Sequence, residues 1–322
     1  MPLRCLVVLI VFALCFPAEA QQPKKVPRIG VMAASPLDSS LSEAFRQGLR
    51  DLGYVEGENI IIEYRFAEGR PERLRDFAAE LIRLKVNVIV TTGTPSTSAA
   101  KKATSTIPIV MANSADPVEG ELIASLAHPG GNVTGLTRLS PQIAGKRLEL
   151  IKEAFPSAII IAVLWDQNNP SAVQHLNEMQ AAADALGVQL QSVAVRGPDD
   201  FDKAFSEIAQ KRAAALVVLR DAVFNFNQPR ILEFATKRRL PTIFDRTTAA
   251  DAGGLISYGA NDTALYRRAA YYVDKILKGA KAGDLPVEQP TKFELVINLK
   301  TAKQIGVTIP SSVLYRVDKV IK

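Results

Sequence analysis

Cysteine and histidine are scarce in this sequence of 322 residues, which contains two of each. Both cysteines, Cys5 and Cys15, stand close to the N-terminus. If secretion removes this segment, the mature chain has no thiol, which excludes disulfides, cysteine nucleophiles and Cys-ligated metals. The two histidines lack the close spacing of a zinc site, so we expect no metal. A Ser-His-Asp triad would have to use His128 or His175.

Neither histidine is in a favourable place for catalysis. His128 precedes Pro-Gly-Gly, which is a turn by composition, and His175 falls on the polar side of a predicted helix, where we expect it to be exposed. A glycine-rich segment at 130–135 is followed by Leu136, where a phosphate-binding loop needs Lys. The sequence therefore predicts no cofactor and favours a non-enzymatic role.

A concentrated basic region is also absent, although the formal net charge is +6. The paired basic residues are scattered along the chain, and no basic run is interleaved with aromatics. These pairs are Lys24-Lys25, Lys101-Lys102, Arg238-Arg239 and Arg267-Arg268. The distribution is typical of a solvated surface and excludes a nucleic-acid partner.

The N-terminus carries the only long apolar run, at residues 5–16. Arg4 precedes the run, and Pro17 and Ala18-Glu19-Ala20 follow it, which predicts a signal peptide over residues 1–20, cleaved after Ala20. The run is shorter than the roughly 20 residues of a membrane span. Acylation of Cys15 stays open, although Leu14 stands where a lipoprotein signal has a small residue. We therefore expect a periplasmic protein that is at most peripheral to the membrane.

From Val26 onward, strand-like apolar runs alternate with helical patterns in two series. The predicted strands are 29–32, 60–64, 86–91, 107–111, 159–165, 189–195, 215–219, 242–244, 255–258 and 293–298. Each series has the spacing of βα units, which predicts an α/β protein with two Rossmann-like parallel-sheet lobes. The predicted first lobe spans 26–137 plus about 260–290, and the second spans 138–259. Residues 291–322 form a C-terminal crossover and packing segment, so the chain crosses a hinge several times.

Ligands of parallel α/β sheets bind at the carboxyl ends of the strands. Small polar or acidic residues follow several predicted strands here, and the turn at 94–96 precedes a predicted helix whose N-terminus would suit a carboxylate. Locally, an ordinary helix cap explains that turn equally well. The candidate ligand-binding residues are Ser35, Thr94, Ser96, Asp116, Asn168, Asn169, Asp221, Asp245 and Tyr258.

Longer motifs resemble those of a known family. They lie at 45–57, 59–60, 63–65, 93–95, 107–110, 116–118, 129–135, 252–259 and 285–294. In this order they resemble the ABC-transporter substrate-binding family related to tryptophan- and tyrosine-type uptake binding proteins. The resemblance implies a type I periplasmic binding fold with a ligand clamped between two lobes. It also implies that residues 93–96 and Asp116 line the first-lobe side of the cleft.

The main hypothesis is a secreted solute receptor that delivers a small molecule to the transmembrane subunits of an ABC permease. We expect an amino acid or small aromatic carboxylate, with its carboxylate at Thr94 and Ser96 and any ammonium at Asp116. Phe224, Phe226 or Tyr258 would cover its apolar part, although all three suit a core equally well. Two alternatives stay open: a secreted α/β enzyme, and a ligand-sensing subunit of a membrane signalling receptor.

Overall fold

The computed structural model describes residues 26–139, 142–169 and 171–322. The predicted signal peptide, its cleavage site and Cys15 lie outside the described residues. Among the helices that are described, none is both long and apolar enough to cross a membrane.

The first sheet has five parallel strands in the order β2-β1-β3-β4-β5. The strands are β1 (Arg28–Ala33), β2 (Ile61–Phe66), β3 (Val88–Thr92), β4 (Ile109–Ser114) and β5 (Val133–Thr137). The centres of β1, β3 and β4 are runs of buried residues, because helices cover both faces of the sheet, whereas β2 at its edge is half-buried throughout.

The second sheet has seven strands in the order β12-β11-β10-β9-β8-β6-β7. They are β6 (Ile160–Asp166), β7 (Gln189–Val195), β8 (Ala215–Val218), β9 (Thr242–Phe244), β10 (Ile256–Ala260), β11 (Phe293–Asn298) and β12 (Lys319–Ile321). All neighbouring pairs are parallel except β10 and β11. The prediction of two mostly parallel α/β sheets is confirmed.

Twelve α-helices pack around the two sheets within the described part of the chain. They are α1 (Ser39–Asp51), α2 (Leu74–Arg83), α3 (Gly93–Ala103), α4 (Ala144–Ala154), α5 (Ala172–Leu186), α6 (Phe201–Gln210), α7 (Ala222–Phe226), α8 (Gln228–Lys237), α9 (Thr248–Asp251), α10 (Asp262–Leu277), α11 (Leu299–Ile305) and α12 (Ser311–Leu314). We call the first sheet with α1–α3 and α10 the first lobe, and the second sheet with the other helices the second lobe.

Helix α10 belongs to the first lobe although the strands on either side of it belong to the second sheet. Its residues Leu265, Ala269 and Val273 share a core with Phe45 and Leu49 of α1. The chain therefore crosses between the lobes after β5, after β10 and again before β11. Repeated crossings of this kind let two rigid units move about a common hinge.

Strands β5 and β12 are absent from the sequence-based prediction. In β5, Gly135 has a φ of +123°, and a Cβ there would stand 2.2 Å from the carbonyl oxygen of Met111. Glycine permits this close approach of β4 and β5, but it also breaks the run of apolar side chains that reveals a strand in a sequence. The segment that resembled a glycine-rich loop thus ends in a buried strand.

Candidate functional site

A cavity of about 970 Å³ lies between the two lobes. Its walls come mainly from the segments that follow β1, β3 and β5 in the first lobe and β6, β8 and β9 in the second. Since these are the carboxyl ends of parallel strands, the cavity occupies the position expected for a ligand of this class of fold.

Five of the nine predicted site residues line this cavity. They are Ser35, Thr94, Asn168, Asn169 and Asp221. The exposed aromatic Phe226 also lines it, whereas Phe224 is buried in the second-lobe core with its ring edge against Phe201. The polar strand ends of the two lobes therefore meet at this cavity.

The structure does not bring Ser96 and Asp116 to the cavity. Ser96 is fully buried inside α3. The Asp116 carboxylate accepts hydrogen bonds from the backbone nitrogens of Val118 (3.0 Å) and Glu119 (3.1 Å), and from the side chain of Gln142 (2.6 Å). Its acceptor capacity is used to hold the turn that follows β4.

Asp245 and Tyr258 lie outside the lining as well. Tyr258 packs against the second-lobe core, with its ring centroid 6.2 Å from that of Phe293. Its backbone oxygen accepts a hydrogen bond of 3.0 Å from Nε of Arg147. Asp245 is buried 4.0 Å from the same guanidinium.

Asp245 is part of a buried set of charges that sequence reasoning did not anticipate. This set, called here the arginine cluster, consists of Arg138, Arg147, Arg220, Asp245 and Asp262. Arg220 donates from Nη1 to both carboxylate oxygens of Asp262, at 3.0 and 2.8 Å. Arg147, followed by Arg138 and Arg220, holds the pKa of Asp245 at about 2, against the effect of burial. Three guanidinium groups face two carboxylates, so the cluster has one positive charge in excess.

Arg138 is the cationic residue of this cluster with the clearest unmet bonding capacity. It follows β5 and lines the cavity, it is 5% exposed, and its Nε has no hydrogen-bond partner among the described residues. Burial, and then the nearby Arg220, lowers its pKa to about 10, so it stays charged at neutral pH. A buried guanidinium with a vacant donor and an excess of positive charge around it is suited to binding an anion.

A second charged group of the cavity is acidic. Asp166 ends β6 and Asp221 follows β8, and we call these two residues the acidic pair. Asn169 donates from Nδ2 to Oδ2 of Asp221 at 2.9 Å. Burial, and then the neighbouring Asp166, raises the pKa of Asp221 to about 7. The cavity therefore presents both a positive and a negative group to a small molecule.

The two lobes are also joined by direct polar contacts beside the cavity. Arg246, which follows β9, donates from Nη1 to Oδ2 of Asp38 at 2.8 Å, and both residues line the cavity. On the second-lobe side Gln174 donates to Glu119 of the first lobe. Such contacts exist only when the lobes are close, so they stabilise a closed arrangement.

His175 contradicts the prediction of an exposed side chain, since it is only 3% exposed. The buried stripe of α5 is Ala172, His175, Met179 and Ala183, whereas the apolar Val173 is 54% exposed. Nδ1 of His175 lies 2.7 Å from the backbone oxygen of Ser171, to which it donates, and Nε2 has no partner among the described residues. Burial lowers the pKa of His175 to about 4.

This burial predicts a pH-dependent stability. Between about pH 6.5 and pH 4 the unfolded chain binds a proton at His175 that the native protein does not, so the free energy of unfolding falls as the pH is lowered. We expect a loss of about 3 kcal/mol over this range. Urea unfolding of the wild type and of His175→Asn measures it, because the variant lacks this part of the slope.

His128 offers a matched control, since it is exposed and is the other of the two histidines. His128→Asn should leave the slope unchanged. The NMR resonances of the His175 ring should titrate near pH 4, because burial lowers its pKa. Equal slopes in the wild type and His175→Asn would show that His175 is not buried in its neutral form.

Among the described residues no group of three or more His, Cys, Asp or Glu side chains is arranged to hold a metal ion. The cavity lining combines cationic and acidic side chains with apolar ones such as Leu37, Leu41 and Phe226. This arrangement can hold a small molecule that has two charged ends and an apolar part.

Comparison with known proteins assigns the chain to a family. Residues 30–321 match the model of the ABC transporter substrate binding protein family. The tyrosine-binding protein of Clostridioides difficile (strain R20291) is 28% identical over 284 residues, which cover 88% of this chain and 81% of the relative.

Two solved structures are similar over nearly the whole chain. A conserved domain protein from Vibrio cholerae O1 biovar El Tor strain N16961 is 31% identical with a TM-score of 0.84, covering 92% of this chain and all of the other. An ABC domain from Streptococcus pneumoniae in complex with L-Trp is 27% identical with a TM-score of 0.83, covering 91% and 100%. These matches confirm the resemblance drawn from the sequence motifs. The chain belongs to the ABC transporter substrate-binding protein family and has the two-lobe type I periplasmic binding protein fold.

Proposed function

We propose that this protein is the periplasmic receptor of an ABC uptake system and that its ligand is an L-α-amino acid with a large apolar side chain. The observation that carries the proposal is Arg138, a buried guanidinium with a vacant donor in the wall of the interlobe cavity. A carboxylate supplies both the charge and the acceptor atoms that this group lacks. The names of the tyrosine- and tryptophan-binding relatives support the same class of ligand.

The apolar residues of the cavity wall form a surface on which the ligand's side chain would pack. Leu37 and Leu41 of the first lobe and Val223, Phe226 and Leu232 of the second line the cavity. Burial of an aromatic side chain among them would contribute roughly 2 kcal/mol or more. Thr94, Asn168 and Asn169 would then orient the polar end of the ligand, and Asp116 would act only through the turn that it holds.

Closure on the ligand would proceed about the three crossings between the lobes. Since the cavity takes its walls from both lobes, a bound ligand contacts both only when they are close, and it therefore favours the closed state. The Arg246–Asp38 contact would reinforce that state. The closed receptor would deliver its ligand to the transmembrane subunits of the permease, after the signal peptide has directed the chain to the periplasm.

A thermal-shift screen of the mature protein, residues 21–322, with the L-amino acids tests the ligand class. A ligand present at about 100 times its Kd stabilises the native state by about 2.7 kcal/mol, so its melting temperature should rise by about 5 °C or more. D-amino acids and matched carboxylic acids without an amine are the controls. If no L-amino acid raises the melting temperature, the proposed ligand class is wrong.

Uptake of the identified ligand separates transport from the open alternatives. Cells that lack the gene should lose accumulation of the radiolabelled amino acid and regain it on complementation. Unchanged uptake together with a lost transcriptional response to the ligand would favour the sensing subunit. Turnover of the ligand by the purified protein would favour the enzyme.

A further inference from the structure

The acidic pair has a geometry that a solvated surface does not explain. β6 and β8 are neighbouring parallel strands, with Leu164 aligned with Val218, and the two carboxyls follow this register at one edge of the sheet. Both residues line the interlobe cavity. One oxygen of each carboxyl accepts a backbone hydrogen bond, from Asn168 at 2.8 Å and from Val223 at 2.9 Å. The pair is thus held in place by its own backbone turns.

No cation in the described part of the chain forms an ion pair with either carboxylate. Within the described residues, no Lys, Arg or His nitrogen lies within 4.0 Å of either carboxylate. Most other charged side chains of the lining already have partners. These contacts are Arg220 with Asp262, Arg246 with Asp38, Lys237 with Glu233, and Arg196 with the side-chain oxygen of Gln167.

Two adjacent carboxylates without a counter-ion are costly, because each disfavours the charge of the other. Asp166 is also buried, whereas Asp221 is half-buried. A proton on the pair removes this cost when no ligand is bound. The raised pKa of Asp221, about 7, agrees with this geometry and places the proton within the physiological range.

An independent feature of the same cavity points to a bound molecule. Arg138 is only 5% exposed, and its Nε has no hydrogen-bond partner among the residues that the structure describes. The vacant donor of Arg138 is suited to an anionic group, and the acidic pair is suited to a cationic group. A single ligand that carries both groups can bind at both places.

We infer that the ligand's primary ammonium binds at Asp166 and Asp221 and replaces a proton that the two carboxyls share in the unliganded protein. This inference rests on the proposed function. The exchange balances in charge: the pair with its proton carries one negative charge, and so does the ionised pair with one ammonium. The proton passes to solvent, the ammonium keeps its own three protons, and no covalent bond to carbon changes.

The exchange makes binding pH-dependent with a definite sign. Below about pH 7 the free protein holds one proton more than the complex, so raising the pH favours the complex. The apparent Kd for L-tryptophan should fall about 30-fold between about pH 5.5 and about pH 8, and little above that. The ammonium and carboxylate of L-tryptophan keep their charges over this range.

Titration calorimetry with L-tryptophan and L-tyrosine tests the inference. At each pH the titration is repeated in two buffers that differ in ionisation enthalpy, which gives the number of protons released. We expect close to one proton per ligand at about pH 6 and close to none at about pH 8.5. The wild-type proton count needs no variant, so it does not depend on any substitution being tolerated.

Two variants of the acidic pair test whether the released proton comes from these two carboxyls. Asp221→Asn and Asp166→Asn should each abolish the release at about pH 6 and weaken L-tryptophan binding at about pH 8 by 10-fold or more, roughly the loss expected for one charged hydrogen bond. Asp199→Asn is the matched control, because Asp199 is exposed and outside the cavity lining. It should leave both the release and the Kd unchanged.

The possible failures are distinguishable. Binding of L-tryptophan or L-tyrosine with no proton release and with the same Kd at both pH values overturns the inference and leaves the proposed function standing. The inference alone also fails if Asp221→Asn and Asp166→Asn bind and release protons like the wild type. If indole-3-propionate binds and neither amino acid does, the inference and the amino-acid ligand class both fail, although solute binding stands. If none of the three binds, the same titrations are made with the L-amino acid that the thermal-shift screen identifies. If the screen identifies none, the ligand class and the inference are both overturned.

Discussion

Replacement of Arg138 with glutamine should weaken the binding of L-tryptophan by about 100-fold or more. Arg138 lies almost fully buried in the cavity wall, and its Nε donates to no described group. In the variant, the ligand's carboxylate still loses its hydration on binding but no longer gains a charge-assisted hydrogen bond. This loss lowers the binding free energy by roughly 3 kcal/mol. That cost corresponds to about 100-fold in Kd. Titration calorimetry at about pH 8 measures the change.

A ligand that lacks the carboxylate shows whether the affinity lost in Arg138→Gln depends on the ligand's carboxylate. Tryptamine should bind the wild type weakly, and Arg138→Gln should not weaken it further, so a double-mutant cycle gives the coupling between Arg138 and the carboxylate. Arg75→Gln is the matched control, since Arg75 is exposed on α2 and outside the cavity lining. Equal losses for tryptophan and tryptamine would mean that Arg138 acts on the shape of the site and not on the carboxylate.

The fold could be predicted from the sequence because α/β patterning is local. Ten of the strands leave an apolar run that is bounded by turns, and the buried faces of α1 and α2 repeat every three or four residues. β5 and α5 show where local reasoning fails. In β5 a glycine replaces the side chain that would mark the strand, and in α5 the buried stripe contains His175 but leaves Val173 outside. Contacts from distant segments decide both cases.

The site could be predicted only in part for the same reason. Polarity at strand ends led to Thr94, Asn169 and Asp221, which do line the cavity. Polarity alone does not separate a residue that faces a ligand from one that caps a turn, as Asp116 does. Arg138 left no signal, because it follows the strand that the sequence did not reveal and because its charged neighbours come from four other segments. Its importance becomes visible only when the charges of the cluster are counted.

Asp245→Asn should lower the free energy of unfolding by about 3–5 kcal/mol at neutral pH. Asp245 is buried among Arg147, Arg138 and Arg220, and removal of its charge leaves three guanidinium groups with Asp262 alone. Loss of one partner from a buried set of charges has a cost of this size, because the remaining charges are shielded from water and uncompensated. Urea unfolding followed by circular dichroism measures the change, with Asp199→Asn as the exposed control.

The pH dependence identifies the origin of this effect. Since the native state holds the pKa of Asp245 at about 2, the contribution of its charge is complete above its ordinary pKa of 3.8 and is lost as the pH falls towards 2. The wild type should lose about 2 kcal/mol in this way, and Asp245→Asn should lack this portion. The sequence placed Asp245 among the ligand contacts, and the variant tests that interpretation directly. If Asp245→Asn keeps the wild-type stability but binds L-tryptophan weakly, Asp245 acts on the ligand. If the variant is unstable but its folded fraction still binds L-tryptophan, Asp245 acts by neutralising the arginine cluster, which includes Arg138.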